Sequence, residues 1–198
     1  MTSQELSQLT TRKLQRARYL ASQGKTVAAS LLYFEISRFD PSDGYVWLEY
    51  ADLLTDLLRF QEAYEAYQKA LDFAPDAKKC FVFARIGILL EQSTGIVEAG
   101  ESYKLALESV DNPAPWIEIL YGKNLLVQGR FEEAESRLQH AASTKSPERG
   151  EAYLNLAILY RATERYSDSR KMAMALLALE PDNIDAKTLL DSISQGRS

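Results

Sequence analysis

Two side chains in this sequence are of the types that carry nucleophilic or acid–base chemistry. Cys80 stands in KKCFVFA, where Lys78 and Lys79 would favour a thiolate in the first turn of a helix. His140 stands in RLQHAAS. Acid–base catalysis needs a positioned partner, and one histidine does not make a metal cluster. We interpret Cys80 as a small packed residue at a helix junction and His140 as a surface or packing residue, and we predict no catalytic residue and no metal site.

The sequence also lacks the glycine-rich loops that cradle phosphates, because neither Gly-x-x-x-x-Gly-Lys-Ser/Thr nor Gly-x-Gly-x-x-Gly occurs. Its 198 residues include 23 Lys and Arg against 28 Asp and Glu, a net charge of −5. This balance disfavours nucleic acid, whose phosphates are neutralised by Lys and Arg, and disfavours an anionic membrane. We therefore predict that the protein is not an enzyme, uses no cofactor and has no nucleic-acid partner.

Cellular location is predicted from apolar runs and cysteine content. The N-terminal segment MTSQELSQLTTRKLQRARYL has no apolar stretch long enough for a signal peptide. No run approaches the roughly 20 apolar residues that span a bilayer. A single cysteine excludes a disulfide within the chain, which fits a reducing compartment. We expect a cytoplasmic protein with no membrane insertion.

The elements that must position any functional side chain appear as a repeat. Pro41 and Pro75 are 34 residues apart, and Pro181 ends the last strongly patterned segment. Large and small apolar residues recur at spacings of three and four before Pro75, which puts them on one face of each of two helices: Trp47, Tyr50, Ala51, Leu54, Ala63, Tyr67 and Ala70. Similar spacings return in three later segments, which begin at Phe83, Tyr121 and Tyr153, and in a weaker first copy that contains Ala17, Leu20, Ala29, Tyr33 and Ile36.

This pattern resembles the tetratricopeptide repeat, a helix-turn-helix unit of 34 residues, over roughly residues 10 to 183. The resemblance implies an all-α fold, a right-handed superhelical solenoid of about five repeats that forms a single array over residues 1–198. The repeats are expected near 10–43, 44–77, 80–113, 115–148 and 150–183, with a C-terminal capping helix near 184–194. In the fourth repeat, Glu118 takes the place of the first large apolar residue.

Eleven helices are predicted, near 3–23, 26–39, 43–56, 60–73, 79–92, 95–109, 114–128, 131–144, 148–163, 166–179 and 183–194. Thr2 and Glu5 have the spacing of a capping box at the start of the first helix.

The resemblance also implies a concave binding surface, lined by the first helix of every repeat. The positions opposite the packing stripe are predicted to face this groove: Tyr45, Leu48, Asp52, Phe81, Arg85, Ile88, Trp116, Ile119, Lys123, Leu154, Asn155, Ile158 and Arg161. This set is more apolar than a solvated face, and clustered exposed apolar side chains mark interaction sites. Its cations are expected to hold an acidic group or a C-terminal carboxylate. Burial of the same stripe against the next repeat is the alternative explanation.

The predicted function is a protein–protein interaction module, an adaptor or chaperone-like protein that captures a peptide or an amphipathic helix of a partner in the groove. The alternative is a self-associating structural scaffold that uses the same apolar surface. Relatives that hold the acidic tails of heat-shock chaperones use Lys, Asn and Arg at set groove positions. The matching places here hold Leu14, Arg18, Glu49, Phe81 and Arg85, of which only Arg85 suits that role, so we predict no chaperone-tail binding.

Overall fold

A computed structural model describes residues 3–93 and 95–195, and these residues form eleven α-helices and no strand. The helices are α1 (Ser3–Ser22), α2 (Thr26–Phe39), α3 (Gly44–Asp56), α4 (Phe60–Phe73), α5 (Asp76–Gln92), α6 (Ile96–Glu108), α7 (Pro115–Val127), α8 (Phe131–Ser143), α9 (Arg149–Ala162), α10 (Tyr166–Leu179) and α11 (Ile184–Gln195). The all-α prediction is confirmed. The predicted capping box depends on Thr2, which lies outside the described residues.

The predicted start of α5 was wrong by about one turn. The helix begins at Asp76, directly after Pro75, and not near residue 79. Proline has a fixed φ and no N–H to leave unpaired, so it fits the start of a helix. Asp76 then places a carboxylate in the first turn and pairs with Lys79 at 2.7 Å.

The turns inside four of the helical pairs share one geometry. Gly24 and Gly129 have positive φ, and Leu58 and Glu164 adopt the same conformation at the equivalent turns. The residue after each of them donates its N–H to a carbonyl five residues earlier, for example from Lys25 to Leu20 at 2.9 Å. This is the Schellman arrangement, which satisfies the last carbonyls of the first helix. It reverses the chain within a few residues, so the two helices run antiparallel in the pairs α1–α2, α3–α4, α7–α8 and α9–α10.

Helix starts are stabilised by charge and by side-chain caps. At three second helices the residue before the helix is an arginine that bonds a carboxylate in the first turn, as Arg130 does to Glu133 at 2.7 Å. Helix α3 begins differently, since the Asp43 carboxylate accepts hydrogen bonds from the N–H groups of Tyr45 and Val46. Such a cap contributes about 1 kcal/mol.

The chain divides into two compact units, Met1–Gly95 and Ile96–Ser198, which contain α1–α5 and α6–α11. The division falls between α5 and α6, so the pairing of these helices as a third repeat stays a prediction, as does the single continuous array. Within the first unit α1 packs on α2 and α3 on α4, and in the second unit α7 packs on α8 and α9 on α10.

Small residues stand where paired helices cross. Ala51 and Ala63 are fully buried in the first unit, as predicted from their spacing. In the second unit the crossing of α7 and α8 uses Gly122, which lies against the fully buried side chain of Leu138. Burial of a leucine of this kind stabilises the fold by about 2 kcal/mol.

Candidate partner-binding surfaces

The first inner surface lies on α3 and α5, the first helices of their predicted repeats. It is formed by the six residues predicted for the groove in this unit: Tyr45, Leu48, Asp52, Phe81, Arg85 and Ile88. Tyr45 is 50% exposed and Arg85 is exposed, while Leu48, Phe81 and Ile88 are partly buried. This surface therefore offers an aromatic ring and a guanidinium to solvent, with apolar side chains between them that packing has partly covered.

A polar cleft of about 240 Å³ adjoins this surface, between α1 and α3. Arg18 of α1 donates to Glu49 of α3 at 2.9 and 3.0 Å, and the Tyr33 hydroxyl donates to the same carboxylate at 3.2 Å. The Tyr67 hydroxyl donates to Asp52 at 2.6 Å. Because donors from α1, α2 and α4 fix these two carboxylates of α3, the cleft has a defined pattern of acceptors.

Burial controls the protonation of this cleft. It raises the pKa of Asp52, and the nearby carboxylates of Asp56 and Glu49 add to the rise. It also raises the pKa of Tyr33 to about 12, with the charge of Glu49 acting in the same direction. The pKa of Tyr67 is raised by burial and by the adjacent Asp52. Both phenols therefore stay protonated at neutral pH and act as hydrogen-bond donors to the carboxylates.

The predicted capture of an acidic group is not favoured on this surface. Arg85 lies 3.7 Å from Asp52, and Arg18 is held by Glu49. Both cations thus face carboxylates of the chain itself. With Asp56 also lining the cleft, its carboxylates outnumber its one guanidinium, so it suits a neutral or cationic group better than an anion.

The second inner surface lies on α7 and α9. It is formed by Trp116, Lys123, Leu154, Ile158 and Arg161. Ile158 is 41% exposed, Lys123 and Arg161 are exposed, and Trp116 and Leu154 are partly buried. Lys123 bonds Glu151 at 3.0 Å, and Arg161 donates to Ser192 of α11 at 3.2 Å. The last helix therefore extends this surface and leaves Ile158 accessible.

Two residues predicted for the groove are packing residues, and we correct their assignment. Ile119 is 1% exposed and lies in a cluster with Ala141 and Ala152, so no partner can reach its side chain. Asn155 is buried, and its amide donates to the Glu151 carbonyl at 2.8 Å. The Ile119 side chain packs against residues of α8 and α9, which is the alternative that the sequence left open.

The cysteine and the histidine belong to different compact units. Cys80 is buried, and burial raises the pKa of its thiol, so the effect expected from the neighbouring lysines does not prevail. The His140 side chain is 62% exposed, and its Nδ1 lies 2.6 Å from the buried carboxylate of Glu118. The largely exposed imidazole of His140 is thus the side-chain partner of the buried Glu118 carboxylate. In the described part of the chain, no group of three or more His, Cys, Asp or Glu side chains is placed to hold a metal ion.

The polar side-chain contacts that join α1 to α3, α7 to α9 and α9 to α11 were missed from the sequence. Arg18 and Glu49 are 31 residues apart, as are Arg161 and Ser192, and Lys123 and Glu151 are 28 apart. Donors and acceptors separated by slightly less than one repeat were the available signal.

No helix in the described ranges is both long and apolar enough to cross a membrane.

Helix-turn-helix pairs with small residues at their crossings define an α-helical repeat protein. Residues 125–193 match the family model of the tetratricopeptide repeat. Solved tetratricopeptide structures share the fold of this chain over about 90% of its length. A search of curated proteins finds no match.

Three solved structures illustrate the likeness. YrrB, a tetratricopeptide protein with an unusual peptide-binding site, is 19% identical with a TM-score of 0.72, and the alignment covers 90% of each chain. PilW, a type IV pilus biogenesis factor, is 21% identical with a TM-score of 0.78, over 95% of this chain and 86% of PilW. A tetratricopeptide repeat protein from Parabacteroides merdae is 16% identical with a TM-score of 0.78, over 94% of this chain and 72% of that one. At these identities the likeness concerns the fold.

Proposed function

We propose that this protein is a protein-interaction module that binds a peptide or an amphipathic helix of a partner on the inner surfaces of its first helices. Tetratricopeptide repeats present such faces, and among the similar structures YrrB has a peptide-binding site. The proposed role is that of an adaptor or chaperone-like protein. The cytoplasm is the proposed location, in line with the single, buried cysteine.

The observation that carries this proposal is the accessible apolar surface at positions that core packing does not use. Tyr45 and Ile158 remain widely exposed although the crossing residues of the same helices, such as Ala51 and Ala157, are fully buried. Exposed aromatic and aliphatic side chains beside charged groups are typical of binding surfaces. The exposed apolar residues and the packed residues thus lie on different faces of the same helix, which supports the proposal.

The two inner surfaces favour different chemistry in the bound segment. The cleft beside the first surface is lined by Glu49, Asp52 and Asp56, and it suits a neutral donor or a basic side chain. The second surface presents Ile158 on the same helix as Arg161, which donates to the neutral hydroxyl of Ser192, and suits an apolar side chain flanked by a carboxylate.

Selection from a random peptide library, followed by calorimetry, tests the proposal. Peptides selected on the wild-type chain are titrated into Ile158→Glu and into Met174→Glu, a control at an exposed apolar residue of the second helix α10. A second pair of variants compares Tyr45→Ala with Tyr64→Ala, an exposed tyrosine of α4. We expect at least one inner-surface variant to weaken binding about tenfold, or about 1.4 kcal/mol, and the controls to bind as wild type.

Equal affinity of all four variants would remove both inner surfaces as the binding site. Light scattering on the same samples addresses the alternative, a scaffold that self-associates through the inner surfaces. In that case Ile158→Glu or Tyr45→Ala lowers the molar mass of the wild-type assembly.

A further inference from the structure

One packing position of the first helices holds an exposed arginine in α1. In later first helices the residue directly before the small crossing residue is large and buried: Tyr50 before Ala51, Tyr121 before Gly122 and Leu156 before Ala157. The preceding second helix reaches this position, since the Phe34 ring of α2 lies 6.3 Å from the Tyr50 ring of α3. In α1 the residue before Ala17 is Arg16, which is exposed, and no helix in the described part of the chain covers it.

Two stripes of side chains adjoin on this side of the first helix pair. Spacings of four, three and four place four residues on one side of each helix: Leu9, Lys13, Arg16 and Leu20 of α1, and Ala28, Leu32, Glu35 and Phe39 of α2. Lys13 joins the stripes, because its ammonium lies 2.8 Å from the Glu35 carboxylate and 5.2 Å from the centre of the Phe39 ring. We refer to these eight residues as the α1–α2 side face.

The apolar part of this face is only partly covered. Leu9 is 41% exposed and Phe39 is 62% exposed, while Leu20 and Leu32 are partly buried. The residues 34 positions after Leu20 and Leu32 are Leu54 and Ala66, which are buried at 1% and 3% exposure. The side that packing covers in the second repeat is therefore open in the first, and it has kept its large apolar side chains. Such a surface suits the apolar face of a helix.

Unpaired cations border these apolar side chains. Arg12 lies one turn before Arg16, and both are exposed. Within the described residues neither guanidinium has a carboxylate in reach, whereas Arg18, on the side of α1 that faces α3, is bound to Glu49. Two free guanidiniums one turn apart can each hold a carboxylate through paired hydrogen bonds. The charge of the face is thus complementary to an acidic partner.

We propose that the α1–α2 side face binds an acidic amphipathic helix of a partner protein. The bound helix lies on α1 as α2 lies on α3, so its residue at the place of Phe34 meets Arg16 and is acidic. A second carboxylate one turn away reaches Arg12. Apolar side chains of the helix pack on Leu20, Leu32 and Phe39. This interaction goes beyond the inner surfaces, because it uses the side of α1 away from α3.

A lipid surface or a second copy is a less suitable occupant. The Glu35 side chain is 53% exposed among the cations of the face, where it would meet lipid phosphates of the same charge. The described helices of a second copy already pack on neighbours in their own chain. A separate helix with carboxylates on one flank avoids both difficulties, since it can place its neutral flank beside Glu35.

Fluorescence anisotropy with three designed peptides tests the proposal. Each peptide is a helix of about 18 residues with one leucine face, and its flanks carry Glu, Gln or Lys. A single helix buries an area at the low end of interface sizes, so we expect a Kd on the order of 50 μM for the Glu peptide. Wild type should bind the Glu peptide at least about tenfold more tightly than the Lys peptide.

Variants then locate the contact. Arg16→Glu should reverse the order of the Glu and Lys peptides, whereas Arg170→Glu, the same charge reversal at an exposed arginine of α10, should leave it unchanged. Phe39→Ala should weaken binding of the Glu peptide, and Phe73→Ala, 34 residues later on α4, should bind as wild type. Circular dichroism verifies that each variant is folded.

Three results overturn the proposal. They are no binding of any peptide up to about 500 μM, equal affinity for the Glu and Lys peptides, and binding that Arg16→Glu leaves unchanged. Phosphatidylserine vesicles and light scattering identify the other occupants. Vesicle binding or self-association that is lost in Arg16→Glu, without binding of the Glu peptide, assigns the face to lipid or to a second copy and also overturns the proposal.

The inner surfaces are tested separately. Ile158→Glu and Tyr45→Ala should bind the Glu peptide as wild type, because neither residue lies on the α1–α2 side face. Loss of Glu-peptide binding in Ile158→Glu would place this peptide on the second inner surface and would overturn the side-face assignment while supporting the proposed function.

Discussion

Replacement of Gly122 by alanine is expected to destabilise the second unit, although alanine is the better helix former. A Cβ at this position would lie 2.7 Å from Cγ and 2.8 Å from Cδ2 of Leu138. Leu138 is fully buried, so any movement away from the new methyl group must take place within the packed interior. Alanine gains about 1 kcal/mol of helix propensity, whereas overpacking of a core costs about 1–3 kcal/mol. We expect a net loss of about 1 kcal/mol in the free energy of unfolding.

Urea denaturation followed by circular dichroism measures this loss. The matched control is Ser136→Ala on the exposed face of α8, which gains helix propensity without a clash and should be slightly stabilised. In a Leu138→Val background the Gly122→Ala change should cost less, with a coupling free energy of about 1 kcal/mol. A Gly122→Ala chain as stable as wild type, or a cost unchanged by Leu138→Val, would refute the close crossing of α7 and α8.

Three further predictions concern the turn, the buried acid and the cleft. Gly129→Ala should lower the free energy of unfolding by about 1 kcal/mol through backbone strain at positive φ, since no atom lies within 4 Å of the new Cβ; urea midpoints measure it, and an unchanged midpoint counts against the turn geometry. His140→Ala should cost about 1–3 kcal/mol, because it leaves the buried Glu118 carboxylate without its imidazole, and the double variant with Glu118→Leu should recover that loss in the same assay. Burial raises the pKa of Asp52 in the folded state above its pKa in the unfolded chain. The stability that the protonated Asp52 side chain contributes is therefore fully present below the unfolded-state pKa and is lost as pH rises through the folded-state pKa. The urea midpoint of Asp52→Asn minus that of wild type should be higher at pH 7 than at pH 3, and a pH-independent difference would contradict the desolvation of this carboxylate.

Spacing in the sequence predicted the helices well because the repeat constrains both ends of each one. Ala51, Ala63 and Tyr67 recur at spacings that only a helical pair with a close crossing satisfies, and all three are buried. The start of α5 was misplaced because the segment after Pro75 is polar, and polar residues in a first turn carry no apolar periodicity. There the helix start is decided by the proline and by Asp76, which are local signals.

Prediction of the inner surfaces was less complete. The prediction of a stripe opposite the packing face agrees with the exposure of Tyr45 and Ile158, whose part in binding stays a prediction. It failed for Ile119 and Asn155, because their burial depends on how closely the neighbouring helix approaches. That distance is set by side chains about one repeat away in sequence. The link between Arg18 and Glu49 escaped notice for the same reason, since it joins two consecutive first helices.

Methyl NMR of the chain with a selected peptide tests most directly whether a partner binds on the inner surfaces. Ile88 and Ile158 report on the first and second inner surfaces, and Met174 reports on the exposed side of α10. Binding on an inner surface predicts that the methyl resonance of Ile88 or Ile158 shifts in proportion to peptide occupancy while that of Met174 stays in place. A saturable shift at Met174, with Ile88 and Ile158 both unmoved, would contradict it.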